Sequence, residues 1–129
     1  MSNFKHLMVD IETMGTEPYS SIVSIGAVEF DLQTGKTGKS FYRNISLKSC
    51  EEIGLKLNAD TVMWWMKQSD EARESLTYGP VNDIVAVLDS FTDFCSQEKY
   101  EIWGNSARFD LGLLQNAYDV IGEPIPWNH

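Results

Sequence analysis

The chain has 129 residues, with 19 acidic against 10 basic side chains and a net charge of −9. Apolar residues make up 43% and aromatics 12%, which is enough for one sizeable core and excludes a disordered chain. No run of about eighteen apolar residues could span a membrane, Met1 to His6 carries no leader-like apolar stretch, and the acidic balance disfavours broad binding to a phosphate backbone.

Phe4 to Val9 reads as a buried strand, ending in an acidic loop, Asp10-Ile11-Glu12-Thr13-Met14-Gly15. Ile22 to Phe30 is rich in β-branched residues, Gln33 to Lys36 forms a turn, and Ser40 to Ile45 alternates as a returning strand. Asn58 or Asp60 caps a helix containing Thr61 to Met66. Ser69 caps a second, short helix from Asp70 to Leu76, whose acidic first turn suits the helix dipole. Gly79-Pro80 breaks the chain, and apolar residues at 81, 84, 85, 88, 91 and 95 give a helix from Val81 to Cys95. Tyr100 to Gly104 reads as a short strand and Asn105 to Arg108 as a loop. Leu111 to Ile121 forms a last helix with Gly122 just past its end. The order β, β, β, α, α, α, β, α predicts an α/β domain with a mixed sheet. Cys50 and Cys95 fit no metal or disulfide spacing and read as reduced, buried thiols of a cytoplasmic protein.

Acids gather at strand ends. Asp10 and Glu12 follow the first strand, and Asp110 opens the last helix, after the strand ending at Gly104. Sites in open α/β sheets form beyond the carboxyl ends of strands. Three carboxylates meeting there repel unless a cation joins them, and hard oxygen ligands select magnesium or manganese over zinc. An Asp-x-Glu pair in extended backbone sets both side chains on one side. Taken alone, Asp10 and Glu12 are a solvated pair and Asp110 a helix-start acid; the combination is what points to chemistry.

Met8 to Thr13 followed by Ile22 to Val28 resembles the first motif of the DEDD, or DnaQ-like, 3′–5′ exonucleases, which have a ribonuclease H-like fold. Trp103-Gly104-Asn105-Ser106-Ala107-Arg108-Phe109-Asp110 resembles their second motif. Thr61 to Ser69 and Pro124 to Trp127 are similar to a narrower branch, which includes phage exonuclease A, prophage exodeoxyribonuclease VIII-like enzymes and a mycobacterial ribonuclease. The resemblance implies one α/β domain over residues 1–129, a mixed sheet flanked by helices. It implies release of nucleoside monophosphates from the 3′ end of single-stranded DNA or RNA with two divalent ions, Mg²⁺ or Mn²⁺. In that reading Asp10 bridges both ions, Glu12 holds the ion that activates water, and Asp110 holds the ion facing the leaving oxygen. Thr13 and Met14 present backbone groups to the terminal nucleotide, Asn105 and Phe109 shape its pocket, and Trp64 or Trp65 stacks on a base. Neighbouring helical residues diverge by about 100°, so one of the two tryptophans faces the site and the other packs in the core.

Family members add a third motif, a His general base and a fourth Asp in a further helix. Residues 1–129 contain neither, and His129 follows Trp127 too closely to be that base. The expectation is a C-terminally incomplete domain that binds metal weakly and cleaves slowly or not at all, with exposed apolar surface that a homodimer would bury. His6 reads as structural or exposed. Two rival readings are a haloacid dehalogenase-type phosphatase, with Asp10 as nucleophile and Glu12 as acid, and an interaction module that has kept the fold but lost catalysis.

Overall fold

The computed structural model describes residues 4–77, 79–104 and 107–127, and not the side chains at 107 and 108. Among them run β1 (His6–Thr13), β2 (Ile22–Phe30), β3 (Thr37–Ile45), α1 (Leu47–Glu52), α2 (Ala59–Met66), α3 (Asp70–Ser75), β4 (Val81–Asn82), α4 (Ile84–Cys95), β5 (Glu101–Gly104) and α5 (Ala107–Ile121). The sheet has the order β4-β3-β2-β1-β5. β1 pairs antiparallel with β2 and parallel with β5, and β3 pairs antiparallel with β2 and parallel with β4. This is the ribonuclease H-like mixed sheet flanked by helices that the motifs imply.

Period-two alternation sorts β1. Leu7, Val9, Ile11 and Thr13 are buried, whereas His6 and Met8 are half-buried and Asp10 and Glu12 exposed. The buried set meets Ile22, Ile25 and Phe41 from the neighbouring strands, and Leu88 and Phe91 of α4 with Leu114 and Ala117 of α5 cover it. α4 presents Ile84, Val87, Leu88, Phe91, Phe94 and Cys95 to this core, as helical spacing requires. The Tyr118 hydroxyl donates to the Leu88 carbonyl at 2.9 Å and so pins α5 to α4. Trp127 packs edge-on against Tyr118, ring centroids 6.1 Å apart. The opposite face of the sheet carries the mutual ring contacts of His6, Phe30 and Trp103.

The structure corrects several boundaries. Asp10 and Glu12 belong to the first strand, not to a loop after it, because β1 stays paired with β2 as far as Thr13 opposite Ile22. Where the apolar run stops, alternation continues. The register slips between Glu12 and Thr13, and Val23 packs with Met14 and Trp65 in a second cluster. Helix α4 starts at Ile84, not Val81: Asp83 caps it through the Val85 N–H at 2.9 Å, and Val81 and Asn82 instead pair with Asn44 and Ile45. Helix α1, capped by Ser46, has no counterpart in the sequence reading. Asn58, rather than Asp60, caps α2, Ser69 caps α3, and Gly122 takes φ 73° just past α5. The antiparallel β1–β2 hairpin, with no cap or helix following β1, overturns the phosphatase reading. Both thiols are free and buried. Among the described residues no helix is long and apolar enough to cross a membrane.

Candidate active site

The parallel register of β1 and β5 places the candidate acids. Val9 lies opposite Gly104, so Asp10 and Glu12 extend one to three residues beyond the last paired position. Helix α5, next after β5 in the chain, carries Asp110 in its first turn. Asp110 is 4% exposed, while Asp10 and Glu12 lie open on their face of the strand. The Glu12 carboxyl is pushed above the usual carboxylate range by desolvation first, then by the negative fields of Asp10 and Asp110.

Among the described residues no three His, Cys, Asp or Glu side chains close around a common point as metal ligands. In kind, the donor set suits a hard divalent ion: carboxylate oxygens only, from adjoining strand and helix ends, in a mutually repulsive field. His6 lies at the opposite end of β1, where its Nδ1 accepts the Trp103 indole N–H at 3.1 Å, so it does not serve the acids.

A cavity of about 640 Å³ opens beside the acids. Ile11, Glu12 and Thr13 line it from β1, Thr61, Trp64 and Trp65 from α2, and Phe109 from α5. The two tryptophans split as helical geometry requires. Trp65 is 8% exposed, and its indole N–H donates to the Thr13 carbonyl at 3.1 Å. Trp64 is 55% exposed and meets Trp65 edge-on. The backbone of Met14 is fully engaged: its N–H donates to the Ser21 carbonyl and its carbonyl accepts the Asn58 N–H. Its side chain is buried with Val23 and Trp65, so Met14 supports the cavity from behind and does not line it. Thr13 lines the cavity, but its carbonyl is taken by Trp65 and its hydroxyl donates to the Gly15 carbonyl at 2.7 Å. Asn105, the Arg108 side chain and His129 lie outside the described residues. Glu17, Asn58 and Asp60 also line the cavity and do not stand out as site residues in the sequence; they come from a loop and a helix start that carry no motif.

Solved structures share this fold. The nuclease domain of 3'hExo, a DEDDh family member bound to rAMP, matches with a TM-score of 0.56 at 12% identity, over 96% of this chain and 64% of its own. Cell-death related nuclease 4 matches at 0.53 and 11% identity, over 92% of this chain and 41% of its own. A 3'-exonuclease solved in 3'-end specific recognition of histone mRNA stem-loop matches at 0.54 and 11% identity, over 93% and 55%. The chain thus spans less than two thirds of the length of these neighbours. No individually curated protein sequence matches it significantly. One family model matches residues 5–129, nearly the whole chain. By that match the chain belongs to the 3'-5' exoribonuclease Rv2179c-like domain family.

Proposed function

We propose that this chain hydrolyses the terminal phosphodiester at the 3′ end of single-stranded nucleic acid and releases nucleoside monophosphates. The observation that carries the reading is that the charges of Asp10 and Asp110 both act on the Glu12 carboxyl, where parallel β1 and β5 end and α5 begins, beside a cavity lined by Trp64 and Phe109. The three carboxylates would hold divalent ions, Mg²⁺ or Mn²⁺. When bound, such ions polarise the phosphodiester and lower the pKa of water. The protein's own part is to place the substrate. Trp64 offers an exposed indole on which a base stacks without regard to sequence. Phe109 lines the cavity from α5, and Trp65 holds the end of β1 in place from α2.

RNA is the favoured polymer, because the family is described as exoribonucleolytic and one structural neighbour carries rAMP. A cytoplasmic location fits the two buried free thiols. A homodimer would cover the sheet face around Phe30 and Trp103, and sedimentation at monomer mass would remove that part of the reading. That no three acids close around a common point among the described residues favours a second reading, a domain that keeps the fold and binds nucleic acid without cleaving it. Chromatography of the products of a single-stranded RNA incubated with Mn²⁺ decides between them. Nucleoside monophosphates as the first and main product support the exonuclease. Intact RNA supports the binding module, and internal fragments overturn both.

A further inference from the structure

The lining of the cavity has one sign of charge. Glu12, Glu17 and Asp60 contribute carboxylates, and no Lys, Arg or His is among its described lining residues. Bound cations would offset the charge of Glu12, but at Glu17 and Asp60 a phosphate is repelled, whereas a group that offers hydrogen-bond donors is held.

Glu17 is placed for such a contact by a chain of short-range bonds. Its Oε1 accepts the Asn58 side-chain amide at 3.3 Å. Asn58 is itself fixed as the cap of α2, its Oδ1 accepting the Thr61 N–H at 3.0 Å and its own N–H donating to the Met14 carbonyl at 2.8 Å. The Glu17 carbonyl accepts the Ser20 hydroxyl at 2.5 Å. Gly15 lets this loop lie close: a Cβ there would collide with Ser20 Oγ and stand 3.2 Å from Asn58 Cβ. The loop leaving β1 is thereby fastened to the start of α2 with Glu17 at the cavity wall. An ionised carboxylate only accepts, and it has about four lone-pair positions, of which Asn58 takes one.

We propose that Glu17 is a specificity residue that accepts hydrogen bonds from the sugar hydroxyls of the terminal nucleotide, so that the cavity prefers a ribonucleotide with a free 2′,3′-diol. This rests on the cavity being the nucleotide site proposed above. A vicinal diol offers two donors where a 2′-deoxy sugar offers one, and a 3′-phosphate brings negative charge against Glu17.

The test is a binding titration in Mg²⁺, followed by tryptophan fluorescence, with adenosine 5′-monophosphate, its 2′-deoxy form and adenosine 3′,5′-bisphosphate, on the unsubstituted chain and on Glu17→Gln. The substituted side chain retains a carbonyl acceptor for Asn58, and equal melting temperatures show that the fold is kept. The expected result is roughly tenfold tighter binding of the ribonucleotide than of the deoxynucleotide, with no detectable bisphosphate binding. In Glu17→Gln the ribose advantage collapses and bisphosphate binding emerges. Equal affinity for ribo and deoxy forms, or an advantage that survives Glu17→Gln, overturns the role of Glu17 and leaves the nucleotide site standing. Binding of none of the three overturns both.

Discussion

The indole N–H of Trp65 donates to the carbonyl of Thr13 across 52 residues of sequence, at 3.1 Å, and both residues are buried. Thr13 is the last residue of β1, and its neighbour Glu12 lines the cavity. One hydrogen bond from α2 therefore holds the strand end on which two of the three acids depend. Trp65→Phe keeps an aromatic ring and removes the donor, leaving the Thr13 carbonyl buried without its partner. The expected cost is about 1–3 kcal/mol, read by urea denaturation. A change below experimental error would show that the contact carries little.

Trp64, one position earlier, should behave in the opposite way. It is 55% exposed, so Trp64→Ala is expected to change stability by no more than about 0.5 kcal/mol. It should weaken binding of single-stranded RNA by about 1–3 kcal/mol, the usual value of one stacked base, in a filter-binding or anisotropy titration. If binding is unchanged, Trp64 is not the stacking platform.

The acids predict how metal affects stability. The Glu12 carboxyl sits above its ordinary range, so its contribution is full in acid and is lost as pH rises through its folded-state value. At neutral pH the ionised site thus costs stability, and a cation that binds only the folded chain restores it. Saturating Mg²⁺ or Mn²⁺ should raise the melting temperature. Asp10→Asn should remove that rise and slightly raise the melting temperature of the metal-free protein. Scanning calorimetry with and without metal reads both effects.

Alkali should destabilise the fold early. Burial pushes the thiols of Cys50 and Cys95 up to about 11 and about 12, and it raises the hydroxyls of Tyr100 and Tyr118, with the Glu29 carboxylate adding to the rise at Tyr100. In each case the folded state holds its proton longer than the unfolded chain. Stability is therefore full below about pH 9 and falls as pH climbs toward 11 and 12. Melting temperatures across this range check the sign. At pH 8 a thiol reagent should modify neither cysteine until the protein unfolds.

Much of the architecture is legible in residue patterns. The strand from Ile22 to Phe30 and the helix through Leu88 and Phe91 follow from β-branched content and helical spacing, and each needs little outside its own segment. Elements that owe their existence to distant partners are not legible. Val81 and Asn82 are a strand only because Asn44 and Ile45 lie beside them, and α1 is six residues long with a single Ser46 cap. The same holds at the site. Asp10, Glu12 and Asp110 stand out as charges at strand and helix ends. The motif puts Met14 at the substrate, but its backbone bonds go to Ser21 and Asn58, partners that only the fold supplies. Glu17 sits in a loop whose course is set by Asn58 and Ser20, so no local pattern marks it.

The most direct test of the central claim is to incubate the purified chain in Mn²⁺ with 5′-labelled single-stranded RNA and DNA, beside Asp10→Ala. The account predicts a ladder of products shortened from the 3′ end, stronger on RNA and absent from Asp10→Ala. An untouched substrate, or a ladder that persists in Asp10→Ala, would contradict it.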